Sequence, residues 1–236
     1  MVLQQDIPSH IAIIMDGNAR WAKKNSFNVA AGHKKGSKVI KEIVKSAAKL
    51  GVKFLTIYAF STENWQRPKE EVGGLMSLLK NYLGGDVNEL IKNDVKIVVS
   101  GSLENIDAKI VDQINKIVEK TKNNQAITLN VAFDYGARKE LASACKQIAL
   151  ALKEGKISVS DIDESYLSKN LYQPTIPDPD LLIRSGGNIR LSNFLLWQLA
   201  YTELYFCQTL WPDFTEKDLI QAITNFNQRK RNYGKR

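Results

Sequence analysis

The apolar residues of this chain fall into short runs separated by longer stretches of helical period. Residues 11–15, 52–60, 95–99 and 127–133 are compact runs rich in β-branched and aromatic side chains, and 181–183 is a shorter one. Short, mostly apolar runs of this length read as strands buried on both faces of a parallel sheet. Residues 202–206 read as a last strand. Between the runs, Val39, Ile40, Ile43, Val44 and Ala47 share one face of a helix predicted over 36–50, with lysines on the other face and Gly51 as its stop. A second helix is predicted from Glu71 to about Asn93, bent or broken at Gly84-Gly85. Ile106, Ile110, Val111, Ile114, Ile117 and Val118 mark a third. Residues 141–152 form a fourth, stopped at Gly155, and 164–170 a short fifth before a loop through Pro174, Pro177 and Pro179. Thr215 with Asp218 has the form of a cap for a closing helix. That helix is expected to bury Leu219, Ile220, Ile223 and Phe226, then to dissolve into Arg229, Lys230, Arg231, Lys235 and Arg236. The alternation predicts an α/β fold, a single domain over 1–236 with a central, mainly parallel sheet flanked by helices. No internal repeat, low-complexity segment or linker interrupts it.

Ligands of a parallel sheet bind at the carboxyl ends of its strands. Here those ends are polar. The first run stops at Asp16-Gly17-Asn18, with Arg20 and Trp21 following. The second stops at Ser61-Thr62-Glu63-Asn64-Trp65, closed by Arg67-Pro68, and the fifth at Arg184-Ser185-Gly186-Gly187 ahead of Arg190 and Ser192. Taken singly, Asp16-Gly17-Asn18 is a tight turn, Trp21 and Trp65 are core aromatics, His33 caps a helix, and Arg184 and Arg190 are surface residues. Their coincidence at strand ends predicts one cleft. Three or four arginines with few acids suit a strongly anionic ligand, and two diphosphates fit that count better than one carboxylate. A lone Asp16 among them either pairs with an arginine or binds Mg²⁺.

Charge narrows the partner. The 236 residues hold 33 Lys and Arg against 25 Asp and Glu, a net charge of +8. That balance suits nucleic acid, anionic lipid head groups or a phosphorylated metabolite. Cys145 and Cys207 form no CxxC and have no zinc spacing, and Cys145 reads as a small core residue of its helix. The first ten residues lack a signal-peptide core, and no apolar stretch is long enough to span a bilayer, so the expectation is a cytoplasmic protein able to work at a membrane surface. GxGxxG after the first strand, GxxxxGK[ST], GxSxG and a DDxxD pair are all absent. Dinucleotide binding, P-loop hydrolysis, α/β-hydrolase chemistry and an all-helical prenyl synthase therefore lack support.

The blocks HIAIIMDGNARWAKK with AGHKKG, YAFSTENWQRPKEEV, PDLLIRSGGNIRLSNFLLWQLAYTELYF and LWPDF stand in this order along nearly the whole chain. In sequence and spacing the chain resembles the cis-prenyltransferases, most closely the bacterial undecaprenyl diphosphate synthases. The resemblance implies the cis-prenyltransferase fold with an apolar tunnel, walled by the helix over 75–90 and strands two and three. It implies Mg²⁺-dependent condensation of isopentenyl diphosphate with an allylic diphosphate such as farnesyl diphosphate, forming Z double bonds. The product would be a long polyprenyl diphosphate, undecaprenyl diphosphate, the lipid carrier precursor for cell-wall synthesis.

Carried over, Asp16 is the catalytic aspartate and a Mg²⁺ ligand. Asn64 is the residue of proton acceptance or relay, and as a weak base it suits relay better. Gly17, Asn18, Ala19, Arg20, Trp21 and His33 belong to the allylic diphosphate site. Ser61, Thr62, Glu63, Trp65 and Arg67 match the second substrate loop, and Arg184, Arg190, Leu191 and Ser192 the isopentenyl diphosphate site. Glu203 matches a second metal ligand, contributed across a homodimer. Peripheral contact with the inner face of the membrane, and no nucleic-acid partner, are expected as well. Three departures stand out: Ala19 replaces a usual Gly, Val29 an Arg found in many bacterial members, and Asn188-Ile189 a common Glu-His pair. Two other readings, a catalytically silent partner subunit and a basic nucleic-acid binder, are disfavoured by the intact Asp16 and Arg184–Ser192 segments and by the shortness of the basic tail.

Overall fold

A computed structural model describes residues 6–229. Lys230, Arg231, Lys235 and Arg236 of the expected basic tail lie outside the described residues, as do residues 1–5 of the N-terminal decapeptide. Six strands form one sheet: β1 His10–Ile14, β2 Phe54–Ser61, β3 Val95–Ser100, β4 Ile127–Tyr135, β5 Leu181–Arg184 and β6 Glu203–Phe206. Their order is β3-β4-β2-β1-β5-β6, and every ladder is parallel. β1 is the switch point: β2 lies on one side of it and β5 on the other. Every residue of β1 is buried, as its unbroken apolar run requires. Ile11 and Ile13 face the helices α2 Val29–Leu50 and α8 Glu216–Asn227. Ala12 and Ile14 face a second apolar layer built from Ala137, at the start of α6 Ala137–Lys153, and the segment of Phe194, Leu195 and Leu199.

The helices depart from the sequence pattern where local signals are not apolar. A short α1, Asn18–Lys24, follows β1 without any predicted period; seven residues cannot show one. The Asn28 side chain caps α2 by accepting a bond from the Ala31 amide, so this helix begins seven residues before the predicted Gly36. It ends where predicted, on Gly51 at φ 94°. Gly32 and Gly36 let α2 press on α1: a Cβ at either would stand 2.2 Å from the Asn18 carbonyl or side-chain oxygen. The helix predicted from Glu71 becomes α3 Lys69–Asn81, a π-helical turn Tyr82–Asp86 containing Gly84-Gly85, and α4 Asn88–Lys92. The bend expected at the glycines is thus a wide turn, not a break. α5 Ala108–Thr121 and the short α7 Glu164–Lys169 complete the set.

Two burial expectations are corrected. Cys145 is exposed, because Ala144 and Ile148 take the inner face of α6. In α8, Ala222 replaces Ile220 on the buried stripe, and Ile220 is exposed. The predicted Thr215–Asp218 cap is present, with the Thr215 amide and hydroxyl both donating to Asp218.

A directed chain of hydrogen bonds crosses the sheet interior. Ser100 donates to Asn130, the Asn130 amide to Thr56 at 3.3 Å, and Thr56 to Nε2 of His10 at 2.7 Å. Nδ1 of His10 then donates to the Pro177 carbonyl at 2.6 Å. Burial lowers the His10 pKa from 6.5 to about 4, against raising contributions from Pro177 and Asp180, so the folded imidazole is neutral. An unfolded chain takes up this proton below pH 6.5 while the folded chain does not until about pH 4. Stability from this residue is therefore full above pH 6.5 and falls by about 3 kcal/mol as the pH drops toward 4. Denaturant melts at pH 7 and pH 4.5 should show that loss in the wild type, and His10→Gln should remove most of the pH dependence between them.

Candidate active site

The carboxyl ends of β1, β2 and β5 meet in one open cleft of about 600 Å³. Asp16 sits two residues past β1, and both of its oxygens are engaged. Oδ1 accepts from Arg20 at 2.9 Å; Oδ2 accepts from Arg184 at 3.0 Å and from the Asn188 amide at 2.6 Å. Burial pushes the Asp16 carboxyl up, but the bonds from Asn188, Arg184 and Arg20 together outweigh it, and the group is held below the usual carboxylate range. It is an anion at neutral pH. The turn that delivers it depends on Gly17 at φ 120°, where a Cβ would also press on Leu210 at 2.9 Å.

Arg20 and Arg184 are each braced by backbone. Arg20 donates to the Gly186 carbonyl at 2.6 Å. Arg184 is almost wholly buried and donates to Ser192 Oγ at 2.8 Å and to the Arg190 carbonyl. Arg190 and Arg67 also line the cleft, and Arg67 is paired with Glu71 at 2.8 Å. Four guanidinium groups thus surround one opening, a field that suits phosphate oxygens. His33 stands beside them on α2. Burial, then the Arg67 charge, lower its pKa against the opposing pull of Glu71, whose Oε1 stands 3.7 Å from the buried His33 Nε2, beyond hydrogen-bond length.

The loop after β2 is a 3₁₀ turn, Thr62–Gln66. The Asn64 side-chain oxygen accepts from the Ser61 amide at 3.1 Å, which fixes the turn and leaves the Asn64 amide nitrogen as a donor. Glu63 Oε1 accepts from Asn193 at 2.7 Å. Asn193 also takes bonds from the Ala137 and Arg138 amides, so it ties this loop to the start of α6. Ser192, Asn193 and Leu195 all have positive φ, 53°, 61° and 45°, which makes this a strained corner held by its hydrogen bonds.

Of the residues predicted for the site, the cleft brings together Asp16, Gly17, Asn18, Ala19, Arg20, His33, Ser61, Glu63, Asn64, Arg67, Arg184, Arg190 and Ser192. Four others stand behind its wall. The Trp21 indole donates to Asp213 and stacks on Phe27, and the Trp65 indole donates to buried Asp134 at 2.8 Å. Thr62 packs against Gly136, and Leu191 joins the apolar layer under β1. Glu203 is level with Leu181 and Ile11, at the amino end of the sheet. Five residues of rise, about 16 Å, separate that level from Asp16, and Glu203 is bonded there to Arg229 at 2.6 Å. The two acids do not meet within one chain. Sequence reasoning missed Tyr58, Asn188 and Asn193. Tyr58 lies inside the apolar run of β2; its ring stacks on Phe194 at 4.4 Å and it lines the cleft.

The cleft continues inward. A cavity of about 140 Å³ shares Met15, Asn18, His33, Ala59 and Leu75 with it. A deeper one of about 60 Å³ shares Leu79, Tyr82, Leu129, Val131 and Phe133 with the second. These walls come from α2, α3, β2 and β4, with β3 reached only at the far end. β4 takes the place expected of β3 because it is the strand between β2 and β3.

A model of the prenyltransferase family described as "Putative undecaprenyl diphosphate synthase" matches residues 14–234. The isoprenyl transferase of Bacillus subtilis is 49% identical over 233 residues, 99% of this chain and 90% of that one. The isoprenyl transferase of Fusobacterium nucleatum is 47% identical over 232 residues, 98% of each chain. Among solved structures, lavandulyl diphosphate synthase from Lavandula x intermedia, in complex with dimethylallyl diphosphate, aligns at a TM-score of 0.94 and 37% identity, over 97% of this chain and 99% of that one. A probable undecaprenyl diphosphate synthase from Campylobacter jejuni aligns at 0.80 and 35%, with the same coverage. With Asp16, Glu63 and four arginines gathered at the switch-point end of its sheet, over an apolar channel, and with these likenesses over nearly its whole length, the chain belongs to the undecaprenyl diphosphate synthase family of isoprenyl transferases, an enzyme of the cis-prenyltransferase class.

Proposed function

We propose that the enzyme condenses isopentenyl diphosphate units with an allylic diphosphate, farnesyl diphosphate, to give undecaprenyl diphosphate with Z double bonds. The observation that carries this reading is the joining of the Asp16–Arg20–Arg184 ion cluster to apolar cavities that open from the same cleft. Arg20, Asn18 and His33 hold the allylic diphosphate at the start of α1 and α2. Arg184, Arg190 and Ser192 hold isopentenyl diphosphate beside it. The guanidinium groups stabilise the departing diphosphate as the allylic C–O bond ionises. The π bond of the second substrate then attacks the allylic carbon, and one proton leaves. The Asn64 oxygen is already engaged by Ser61, so the Asn64 amide orients a phosphate oxygen and the proton passes to that phosphate.

Mg²⁺ fits as a partner of Asp16. Among the described residues no three His, Cys, Asp or Glu side chains converge on one point, so no all-protein cage is present. Asp16 is the carboxylate that the arginines of the diphosphate site hold ionised, and a carboxylate so placed is a donor Mg²⁺ favours, with phosphate oxygens and water completing the shell. When bound, Mg²⁺ neutralises diphosphate charge. Glu203 joins such a site only from a second copy, and the exposed Leu196 and Tyr201 near edge strand β6 offer an apolar surface for a homodimer. The growing hydrocarbon enters the cavities under α3, a helix with no buried residue that can shift outward as the chain lengthens. We place the enzyme in the cytoplasm, in contact with the inner face of the membrane.

Labelled isopentenyl diphosphate, supplied with farnesyl diphosphate and Mg²⁺, should enter a product extractable into butanol, and EDTA should abolish this. Chromatographic sizing should give a long product. Val131→Phe, which fills the junction of the two inner cavities, should shorten it by several units while leaving the first condensation within about threefold. Absence of product with every allylic primer would end the proposal.

A further inference from the structure

The net charge of the chain is not spread over its surface. Residues 17–41 contain seven Lys and Arg and no Asp or Glu; the rest of the chain holds 26 Lys and Arg against 25 Asp and Glu. One element, the α1–α2 hairpin, therefore carries nearly the whole +8. Arg20 is used in the cleft, and Lys35 lies over the Trp21 ring at 4.8 Å and near Asp213. Lys23, Lys24, Lys34 and Lys38 are exposed and have no acidic partner among the described residues. The tip of the hairpin is apolar as well. Residues 23–30 are all exposed, and they include Phe27, 58% exposed, Val29, 36% exposed, and Ala30. Along one flank of α2 runs a groove of about 610 Å³, floored by Ala31, Pro212 and Phe214 and rimmed by Lys34, Lys35 and Lys38. Glu42 and Asp213 stand on its margin, Asp213 already held by the Trp21 indole.

We propose that the α1–α2 hairpin is a docking surface for an anionic lipid bilayer, with Phe27 and Val29 entering the interface and the unpaired lysines meeting lipid phosphates. A soluble anion would be held by the lysines and gain nothing from an exposed aromatic tip. Nucleic acid would stack bases on an open ring, but one face of Phe27 is covered by Trp21 at 5.8 Å, and Val29 and Ala30 stack with no base. A basic surface with an apolar tip is the combination that binds lipid interfaces. The placement has a consequence for the reaction. The same hairpin lines the cleft from its inner side, through Asn18, Arg20 and His33. Docking it holds the diphosphate end of the site next to the bilayer that receives the product. The inference rests on the reading of that product as a membrane lipid, but binding without substrates tests it separately.

The test is sedimentation of the full chain with phosphatidylglycerol or phosphatidylcholine vesicles at physiological salt. The chain should bind the former and not the latter. Lys24→Glu/Lys34→Glu/Lys38→Glu should weaken binding by about thirtyfold or more, at roughly fivefold per lysine with partial screening. The control Lys120→Glu/Lys146→Glu/Lys153→Glu, with the same charge change on α5 and α6, should weaken it less than about threefold. Phe27→Ser should cost about tenfold and Phe27→Trp should tighten binding, with turnover of soluble substrates unchanged in both. Equal losses in the two triple variants, equal binding to the two lipids, or indifference to Phe27→Ser and Phe27→Trp would each overturn the proposal. Duplex DNA that bound more tightly than vesicles, without regard to Phe27, would assign a nucleic-acid partner and overturn it too. A wrong reading of the product would appear in chain sizing and leave vesicle binding intact.

Discussion

Asp16→Asn is expected to lower turnover by about a thousandfold or more while leaving the apparent affinity for the diphosphates equal or tighter. The substitution keeps the size of the side chain, so Gly17, Leu210 and the β1 turn are not disturbed. It removes the one negative charge that Arg20, Arg184 and Asn188 converge on, at 2.9, 3.0 and 2.6 Å. Two guanidinium groups then face the cleft uncompensated, and a dianionic ligand is attracted at least as well as before. What is lost is the carboxylate proposed to hold Mg²⁺. The split between kcat and KM is the diagnostic readout. A structural role for Asp16 would lower thermal stability and raise KM together, and a turnover within tenfold of wild type would remove Asp16 from the chemistry.

The second large effect is expected at Arg184. Arg184→Ala should raise KM for isopentenyl diphosphate by about a hundredfold or more, with a smaller change in KM for the allylic substrate. This side chain joins three parts of the site: it donates to Asp16, to Ser192 Oγ and to the Arg190 carbonyl. A lysine carries the same charge but a single point of contact, so Arg184→Lys should recover only part of the loss. Steady-state kinetics with each substrate varied in turn checks this. Equal effects on the two substrates would place Arg184 between the diphosphates and not on one of them.

How much of this was legible in the sequence follows from what each signal encodes. The short apolar runs placed β1, β2 and β5, and a parallel sheet puts their carboxyl ends together, so Asp16, Ser61 and Arg184 were found by position alone. Direction was not legible. Trp21 and Trp65 sit in the right loops, but each indole turns away from the cleft to an acid, Trp21 to exposed Asp213 and Trp65 to buried Asp134. Spacing along a loop has no term for that. Tyr58 was hidden for the opposite reason: it belongs to an apolar run, and the register shifts of β2 after Tyr58 are set by pairing with β4. Asn193 and Asn188 act through side-chain bonds to Glu63 and Asp16 across 130 and 172 positions of sequence, which no local pattern reports. Asn188 stands in one of the places where this chain departs from the family pattern, and the structure puts its amide directly on the Asp16 carboxylate. Glu203 was read as a ligand contributed across a homodimer, and in a single chain it lies at the other end of the sheet, on Arg229.

The central claim is that one cleft holds two diphosphates side by side, joined by the Asp16–Arg184 pair. Calorimetric titration of isopentenyl diphosphate into the enzyme saturated with a non-ionising thio-analogue of farnesyl diphosphate, with Mg²⁺ present, tests it most directly. The expected result is a ternary complex with one site for each ligand, and loss of the isopentenyl diphosphate signal alone in Arg184→Ala. Competition between the two ligands for a single site would contradict it.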